Sequence, residues 1–165
     1  MSILKVDTIN EKTSGNGVYI PNHTIQTVRT GYNTYTSSTS TSLVATGLTA
    51  TITPTSTSSK ILINVKMNGM YMSGQAYYIV LELYRGSSSI KRLGTTAGYR
   101  SAGDEPSYGV YSNVFDYLDS PSTTSATTYT VYWQNNNATP TAYLNNYNIL
   151  NGDTESSITL TEIAQ

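Results

Sequence analysis

Between positions 60 and 85 the chain alternates apolar and polar residues with a period of two. Side chains of a β-strand point alternately to opposite faces, so this period predicts strands with one buried and one wetted face. The first predicted strand is Lys60–Asn68, and its apolar face carries Ile61, Ile63, Val65 and Met67. Gly69 and Gly74 bracket the turn that follows. The second strand is Ala76–Arg85, and its apolar face carries Tyr77, Ile79, Leu81 and Leu83.

The same design of a short strand and a Gly, Ser, Thr, Asn or Pro break repeats along the chain. Further strands are predicted at Ile25–Tyr32, Ser42–Ala45, Ala50–Thr53, Ser89–Leu93, Tyr108–Leu118, Thr128–Gln134, Tyr143–Leu150 and Ser157–Ile163. Long connections are expected at Asn33–Thr41 and Gly94–Ser107. No segment has a convincing helical period. Short strands at this spacing predict an all-β protein, an antiparallel β-sandwich or jelly roll.

The last predicted strand carries core residues close to the C-terminus. Ile158 and Leu160 share one face, so we expect this strand to be paired inside a sheet and buried. Glu162 lies in register with them, which is unusual for a buried face. It predicts either a bulge or a position facing a subunit interface.

Residues 1–25 differ from the rest of the chain and are predicted to form an N-terminal β arm. Gly15-Asn16-Gly17 is a turn signal between two short apolar segments. Two short strands are marginally stable alone, so the arm needs a partner surface. We assign it to anchoring or trimerisation and residues 26–165 to the jelly roll; packing of the arm on its own domain is the alternative. The apolar arm residues are Ile3, Leu4, Val6, Ile9, Val18 and Ile20.

Composition narrows the function classes. With 165 residues the chain is about the size of one domain, and without cysteine it can form neither disulfides nor a thiolate metal site. Nine Lys and Arg against ten Asp and Glu, all scattered, lack the basic patch of a nucleic-acid binder. No run of about 18 apolar residues is present, so no membrane insertion is expected. We also expect no cofactor.

Catalytic and metal-binding patterns are weak. His23 is the single histidine, and no triad can be argued around it. Acid pairs could serve glycoside hydrolysis or, in two cases, hold calcium, but all lie in or beside turns, where such residues are ordinary. We therefore predict a protein that is not an enzyme. The pairs are Asp104/Glu105, Asp116/Asp119 and Asp153/Glu155, of which the last two are the calcium candidates.

Aromatic residues are more informative. Trp133 shares a face with Tyr129 and Val131, which predicts a core tryptophan. The alternative is a sugar platform that Trp133 forms with Tyr132 and Asn135–Asn137. The 15 tyrosines suit subunit interfaces and binding surfaces, because each combines a large ring with a hydroxyl that needs a partner.

Several segments resemble fibre proteins of tailed phages, notably phages of cyanobacteria and other marine bacteria. They are Ser2–Asn10 (SILKVDTIN), Val18–Pro21 (VYIP), Ser42–Pro54 (SLVATGLTATITP), Ser58–Ile63 (SSKILI) and Ser157–Ile163 (SITLTEI). The resemblance implies a trimeric jelly roll of the tumour-necrosis-factor and complement C1q type. It also implies a virion protein anchored through its N-terminus to other virion proteins, and we favour the tail over the head.

The resulting hypothesis is a homotrimeric fibre or fibre-tip protein that binds a host-surface glycan; the alternative is a non-adhesive head decoration or tail connector. If the arm is the base, the turns Gly69–Gln75, Ser120–Thr127 and Asn151–Ser156 are predicted at the far end. The loop Gly94–Ser107 is predicted to start nearer the base. The candidate receptor-binding residues are Tyr71, Tyr99, Arg100, Asp104, Glu105, Asp153 and Glu155.

Overall fold

The computed structural model describes residues 22–73, 77–98, 111–145 and 154–165, and these ranges contain ten β-strands and no helix. The strands are β1 (Thr24–Tyr32), β2 (Thr36–Ser38), β3 (Val44–Ile52), β4 (Lys60–Met72), β5 (Tyr77–Arg85), β6 (Ser88–Gly98), β7 (Tyr111–Asp119), β8 (Thr127–Asn135), β9 (Ala142–Leu144) and β10 (Ser156–Ile163). All pairings among them are antiparallel.

The strands form two sheets with the nested pairing of a jelly roll. β1 pairs with β10, β3 with β8, β4 with β7 and β5 with β6, so early strands pair with late ones in order. The first sheet contains β1, β10, β4 and β7, extended by β9 on the end of β4 and by β2 on β9; the second has the order β3-β8-β5-β6. The predicted all-β sandwich is confirmed.

The core lies between the two sheets and follows the predicted alternation. The first sheet contributes Ile61, Ile63, Val65 and Met67 from β4, and Ile158 and Leu160 from β10. The second sheet contributes Leu48, Ile79, Leu81, Leu83, Tyr129, Val131 and Trp133. Trp133 is 1% exposed, so its interpretation as a core residue is confirmed.

β10 is an interior strand, held on one side by β1 and on the other by β4. Leu160 pairs with Val28 of β1 and Ile63 of β4, and its side chain is fully buried. The prediction that the last strand is buried is therefore confirmed.

Glu162 is a buried carboxylate with its own set of hydrogen-bond donors. The Gln26 side chain donates to Oε2 at 2.6 Å, and the backbone N–H and hydroxyl of Thr55 donate to Oε1 at 2.7 and 2.8 Å. Its pairing with Ile61 of β4 is regular, and the register shift nearby lies in β1, between Thr24 and Gln26. The expectation of a bulge at Glu162 is thus confirmed, with the extra residue in β1 opposite Glu162 and Ile163. The alternative of a position facing a subunit interface is wrong, because Glu162 is fully buried inside its own subunit.

Acidification is expected to destabilise the fold through Glu162. Burial alone would raise the pKa of this carboxyl group, but the hydrogen bonds from Gln26 and Thr55 outweigh it and hold the pKa below its ordinary value of 4.5. A depressed folded-state pKa adds stability above the unfolded-state pKa, and this stability is lost as the pH falls through the folded-state value.

Urea unfolding at pH 7 and at pH 3 tests this expectation. Glu162→Gln should lower the free energy of unfolding by about 1–3 kcal/mol at pH 7, because the NH₂ group of glutamine would face a hydrogen-bond donor. The variant should also lose less stability than wild type between pH 7 and pH 3. Glu155→Gln, which changes an exposed carboxylate, is the control. An equal loss on acidification in wild type and Glu162→Gln would contradict the prediction.

Several predicted elements differ from the structure. The predicted strands Ser42–Ala45 and Ala50–Thr53 form the single strand β3, which shifts register near Gly47 (φ +93°) instead of ending. The Tyr32 ring packs against this glycine, where a Cβ would lie 2.5 Å from the Tyr32 hydroxyl. The predicted loop Asn33–Thr41 contains β2, β6 runs five residues beyond Leu93, and β9 ends at Leu144.

The sandwich has two ends, which we call terminal and distal. At the terminal end the backbone N–H of Asn22 donates to Ala164 O, and that of Ala164 donates to His23 O. The distal end carries the last residues of β4, with β9, β2 and the start of β10.

The predicted placement of the turns is partly wrong. Ser120–Thr127 is at the terminal end, because β7 runs antiparallel to β4 and finishes beside Ile61. The segment Gly94–Gly98 is strand, and it reaches the distal end because Gly98 pairs with Tyr77. The described residues of Gly69–Gln75 and Asn151–Ser156 lie at the distal end as predicted.

Candidate functional site

Three tyrosine rings stack in a row across neighbouring strands at the distal end. Tyr71 of β4 and Tyr143 of β9 are directly opposite each other, with ring centroids 5.6 Å apart and planes 22° apart. Tyr35, just before β2, stacks on Tyr143 at 5.8 Å and 23°. We call these three residues the tyrosine ladder.

The strand period puts the ladder on the outer face of the sheet. Met70 and Met72 point into the core, which turns Tyr71 outward, and Ala142 and Leu144 do the same for Tyr143. Tyr35 is 38% exposed, whereas the other two rings are half-buried. Stacked aromatic pairs gain about 0.5–1.5 kcal/mol beyond their buried area, so the row is also a structural support for the short strands β9 and β2.

Asn145 fixes the chain directly after β9. The backbone of Asn145 has a positive φ of 55°. The side-chain NH₂ of Asn145 donates to Tyr32 O at 2.8 Å and to Thr34 O at 3.1 Å. Its Oδ1 accepts from the Ser156 hydroxyl at 2.7 Å, and its N–H donates to Asn68 O. One fully buried side chain thus ties β9 to the segment that carries Tyr35 and to the start of β10.

Asn135 and Ser73 hold the neighbouring loops. The buried Asn135 side chain donates to Ser38 O at 3.0 Å and Pro140 O at 2.9 Å. Ser73 and Thr141 exchange two hydrogen bonds, one through the Ser73 hydroxyl and one from its N–H. The ladder is therefore carried by backbone whose polar groups are satisfied, which is what a preformed binding surface requires.

Three uncharged stretches of sequence supply the ladder, and the exposed Lys66 of β4 comes directly before the second of them. The stretches 30–59, 67–81 and 120–152, which supply Tyr35, Tyr71 and Tyr143, contain no Asp, Glu, Lys, Arg or His. Ser37, exposed and directly opposite Tyr143, adds a hydroxyl to the same face. The site offers rings, hydroxyls and amides, so it suits a ligand recognised by hydrogen bonds and apolar contact.

Of the predicted receptor-binding residues, two are described. Tyr71 lies within β4 and not in the predicted turn, but it is at the distal end. Glu155 lies just before β10, forms an ion pair with Arg29 and covers Gly31 of β1. Outside the described residues are the remaining candidates, Tyr99, Arg100, Asp104, Glu105 and Asp153, and the arm residues Ile3, Leu4, Val6, Ile9, Val18 and Ile20.

The acid pair Asp116/Asp119 does not converge. Asp116 is exposed on the outer face, whereas Asp119 is buried and accepts hydrogen bonds from Arg85 at 2.9 and 3.0 Å. The Tyr129 hydroxyl also donates to Asp119 at 2.7 Å, and burial together with this bond raises the pKa of the Tyr129 phenol. Asp119 joins the two sheets at the terminal end. Within the described ranges no cluster of three or more His, Asp or Glu could hold a metal ion.

Sequence reasoning missed two rungs of the ladder. The sequence pattern places Tyr143 in a strand but in no candidate site, and it places Tyr35 in a loop. The usable signal was local alternation: Met-Tyr-Met at 70–72 and Ala-Tyr-Leu at 142–144 both place a tyrosine opposite to core residues. Their pairing across strands could not be inferred, because more than 70 residues separate them.

Comparison with known proteins does not assign the chain to a group. No family model matches it, and no curated protein matches it. In the part of the chain that the structure covers, no helix is long and apolar enough to cross a membrane.

Proposed function

We propose that this chain is a homotrimeric virion protein of a tailed phage that binds a host-surface glycan through the tyrosine ladder. The observation that carries the proposal is the position of the ladder, at the end of the sandwich opposite to the entry and exit of the described chain. An N-terminal arm of residues 1–25 attached to other virion proteins would point this end outward, at the particle surface and, on our preference, on the tail.

The chemistry of the distal end supports a glycan ligand. Tyrosine gives a rigid, amphipathic surface at a low cost in side-chain entropy, and hydroxyl and amide groups can pair with sugar hydroxyls. Three copies on one axis would raise a weak single-site affinity through avidity.

The exposed face of β7 supports self-association. Val114 is 69% exposed and Leu118 46% exposed, on the outer face of the first sheet, where Leu118 pairs with the half-buried Leu62. Among the described strands, β7 pairs only with β4, so this apolar surface lies at a sheet edge. An exposed apolar surface at a sheet edge is prone to association with another chain. In a closed three-fold ring, a second copy of the chain would bury this surface.

Leu118→Asp is expected to convert the trimer to a monomer. A charge at a buried contact between subunits stays unpaired, which opposes association. Light scattering at micromolar concentration should report the mass of three chains for wild type and of one chain for the variant. Tyr78→Asp is the matched control, because Tyr78 is 40% exposed on the outer face of the second sheet. A wild-type monomer would contradict the proposal.

Purified wild-type protein is expected to block adsorption of the phage to host cells. Tyr143→Ala is expected to abolish this blocking, because it removes the central ring of the ladder. The assay is blocking of phage adsorption by purified wild-type and variant trimers, with circular dichroism to show that both are folded. Tyr132→Ala is the control, since Tyr132 stacks on Tyr84 at 4.1 Å, on the outer face of the second sheet. If wild type does not block adsorption, a non-adhesive structural role becomes the better interpretation.

A further inference from the structure

We propose that the subunits pack head-to-tail, with the β6 edge of one copy lying on the outer face of β7 in the next, where Asp116 pairs with Lys91 and Arg92 of the neighbouring copy. This inference rests on the proposed homotrimer and names the two surfaces that meet in it.

The first surface, which we call the outer patch, is the outer face of β7 with the adjoining part of β4. Its apolar side chains are Val114, Leu118 and Leu62, and the last two pair across the strands. The inner face of β7 is apolar too, because Phe115 and Tyr117 pack against the core. Apolar side chains on both faces are typical of a strand that is covered on both sides.

The second surface, which we call the side patch, is the side of the sandwich where the edges of β6 and β7 approach each other. A Cβ at Gly94 of β6 would lie 3.4 Å from the Phe115 ring of β7. The apolar residues on this side pack against the core but stay half-buried; they are Ile90, Leu93, Phe115 and Tyr117. A second chain can therefore bury them further.

Charge distinguishes the two patches. Asp116 is exposed in the middle of the outer patch, and the exposed Lys66 borders this patch opposite Val114. The side patch has two exposed cations on β6, Lys91 and Arg92. Opposite charges steer two surfaces together and fix their register, whereas two outer patches placed face to face would oppose their own carboxylates.

The height of these charges along the sandwich fits a three-fold axis that runs from the terminal to the distal end. Rotation about such an axis keeps every residue at its own height. The Lys91 ammonium lies 5.9 Å from the centre of the Tyr117 ring, and Tyr117 is next to Asp116 in β7. Rotation therefore brings the β6 cations to the level of Asp116 in the next copy. Lys66 is nearer the distal end, where it pairs with Val114.

The position of the two patches also favours a small closed ring. They lie on adjacent sides of one subunit and share the strand β7, so each contact turns the next copy through a large angle. Two different surfaces that meet in this way make a heterologous contact, which closes into a ring when the rotation permits.

Charge reversal tests the pairing. Trimer dissociation is followed by light scattering over a concentration series, with circular dichroism to show that each variant is folded. Asp116→Lys and the double variant Lys91→Glu/Arg92→Glu should each raise the concentration of half-dissociation by about tenfold or more, because like charges then face each other. Combining all these substitutions should restore it to within about threefold of wild type. Thr51→Glu, at an exposed position on the outer face of β3, is the control and should change nothing.

Mixing of variants tests the head-to-tail contact. Leu118→Asp disables the outer patch and keeps the side patch, whereas Lys91→Glu/Arg92→Glu does the reverse. At a concentration that keeps each variant monomeric, an equimolar mixture should contain a complex of one copy of each, since one intact contact remains between them. No complex in the mixture, or trimers of either variant as stable as those of wild type, would overturn the inference and leave the homotrimer standing. A monomeric wild type would overturn both.

Discussion

Asn145→Ala should lower the free energy of unfolding by about 3–6 kcal/mol, because it removes three hydrogen bonds of a fully buried side chain, two part-buried and one buried. The carbonyl groups of Tyr32 and Thr34 and the Ser156 hydroxyl all lose the bond that Asn145 supplies. Alanine also fits poorly at a positive φ, which asparagine tolerates better. The measurement is urea unfolding followed by far-UV circular dichroism, with near-UV circular dichroism to report the stacking of the ladder.

Asn145→Gly separates the two causes. Glycine accepts the backbone angle but makes none of the side-chain hydrogen bonds, so it should recover only the backbone part, about 1 kcal/mol. If the alanine variant unfolds like wild type, Asn145 does not close the distal end. If glycine restores full stability, the hydrogen bonds contribute little and backbone geometry alone explains the residue.

Leu160→Ala should cost about 2–5 kcal/mol, since it leaves a cavity in the centre of the core. Leu160 is fully buried in β10, between β1 and β4, so the strands around the cavity have little freedom to collapse. Thermal unfolding should show a clear drop in melting temperature with the same cooperativity.

Leu118→Ala, measured in the same way, is the control, because it makes the same substitution at an exposed position of a strand. Leu118 is 46% exposed, so its truncation removes less buried contact within one subunit and should act mainly on association. An unchanged melting temperature for Leu160→Ala would contradict the interior position of β10.

Much of the fold could be predicted because alternation is a local property. The inward residues of β4 and β10, and the core position of Trp133, follow directly from period two. Gly47 misled the prediction, since a glycine at positive φ often ends a strand, whereas here it accommodates the Tyr32 ring and β3 continues. The buried position of Glu162 inside its own subunit cannot be predicted for a different reason: the donors to its carboxylate, Gln26 and Thr55, are remote in sequence.

The candidate site is harder to predict because it depends on which strands pair with each other, and this pairing is not visible in any single segment of sequence. The sequence indicates Tyr71, but nothing local to it indicates Tyr143 or Tyr35 as its neighbours. The charge of Glu155 makes it a candidate, but in the structure this carboxylate is paired with Arg29. The short strands β9 and β2 carry too few residues for a period to be recognised, so the ladder could only be found from their pairing.

The nested pairing of strands has a consequence for how the protein folds. β1, which starts at Thr24, pairs with β10, which ends at Ile163, so the first sheet closes only when all the described strands between them are present. Loop-closure entropy must be overcome before such distant contacts form, and topologies of this kind fold slowly. Until β10 has been synthesised, β1 and β4 present open edges to other nascent chains. Chaperone protection during synthesis, rather than final stability, would then limit the yield of this protein.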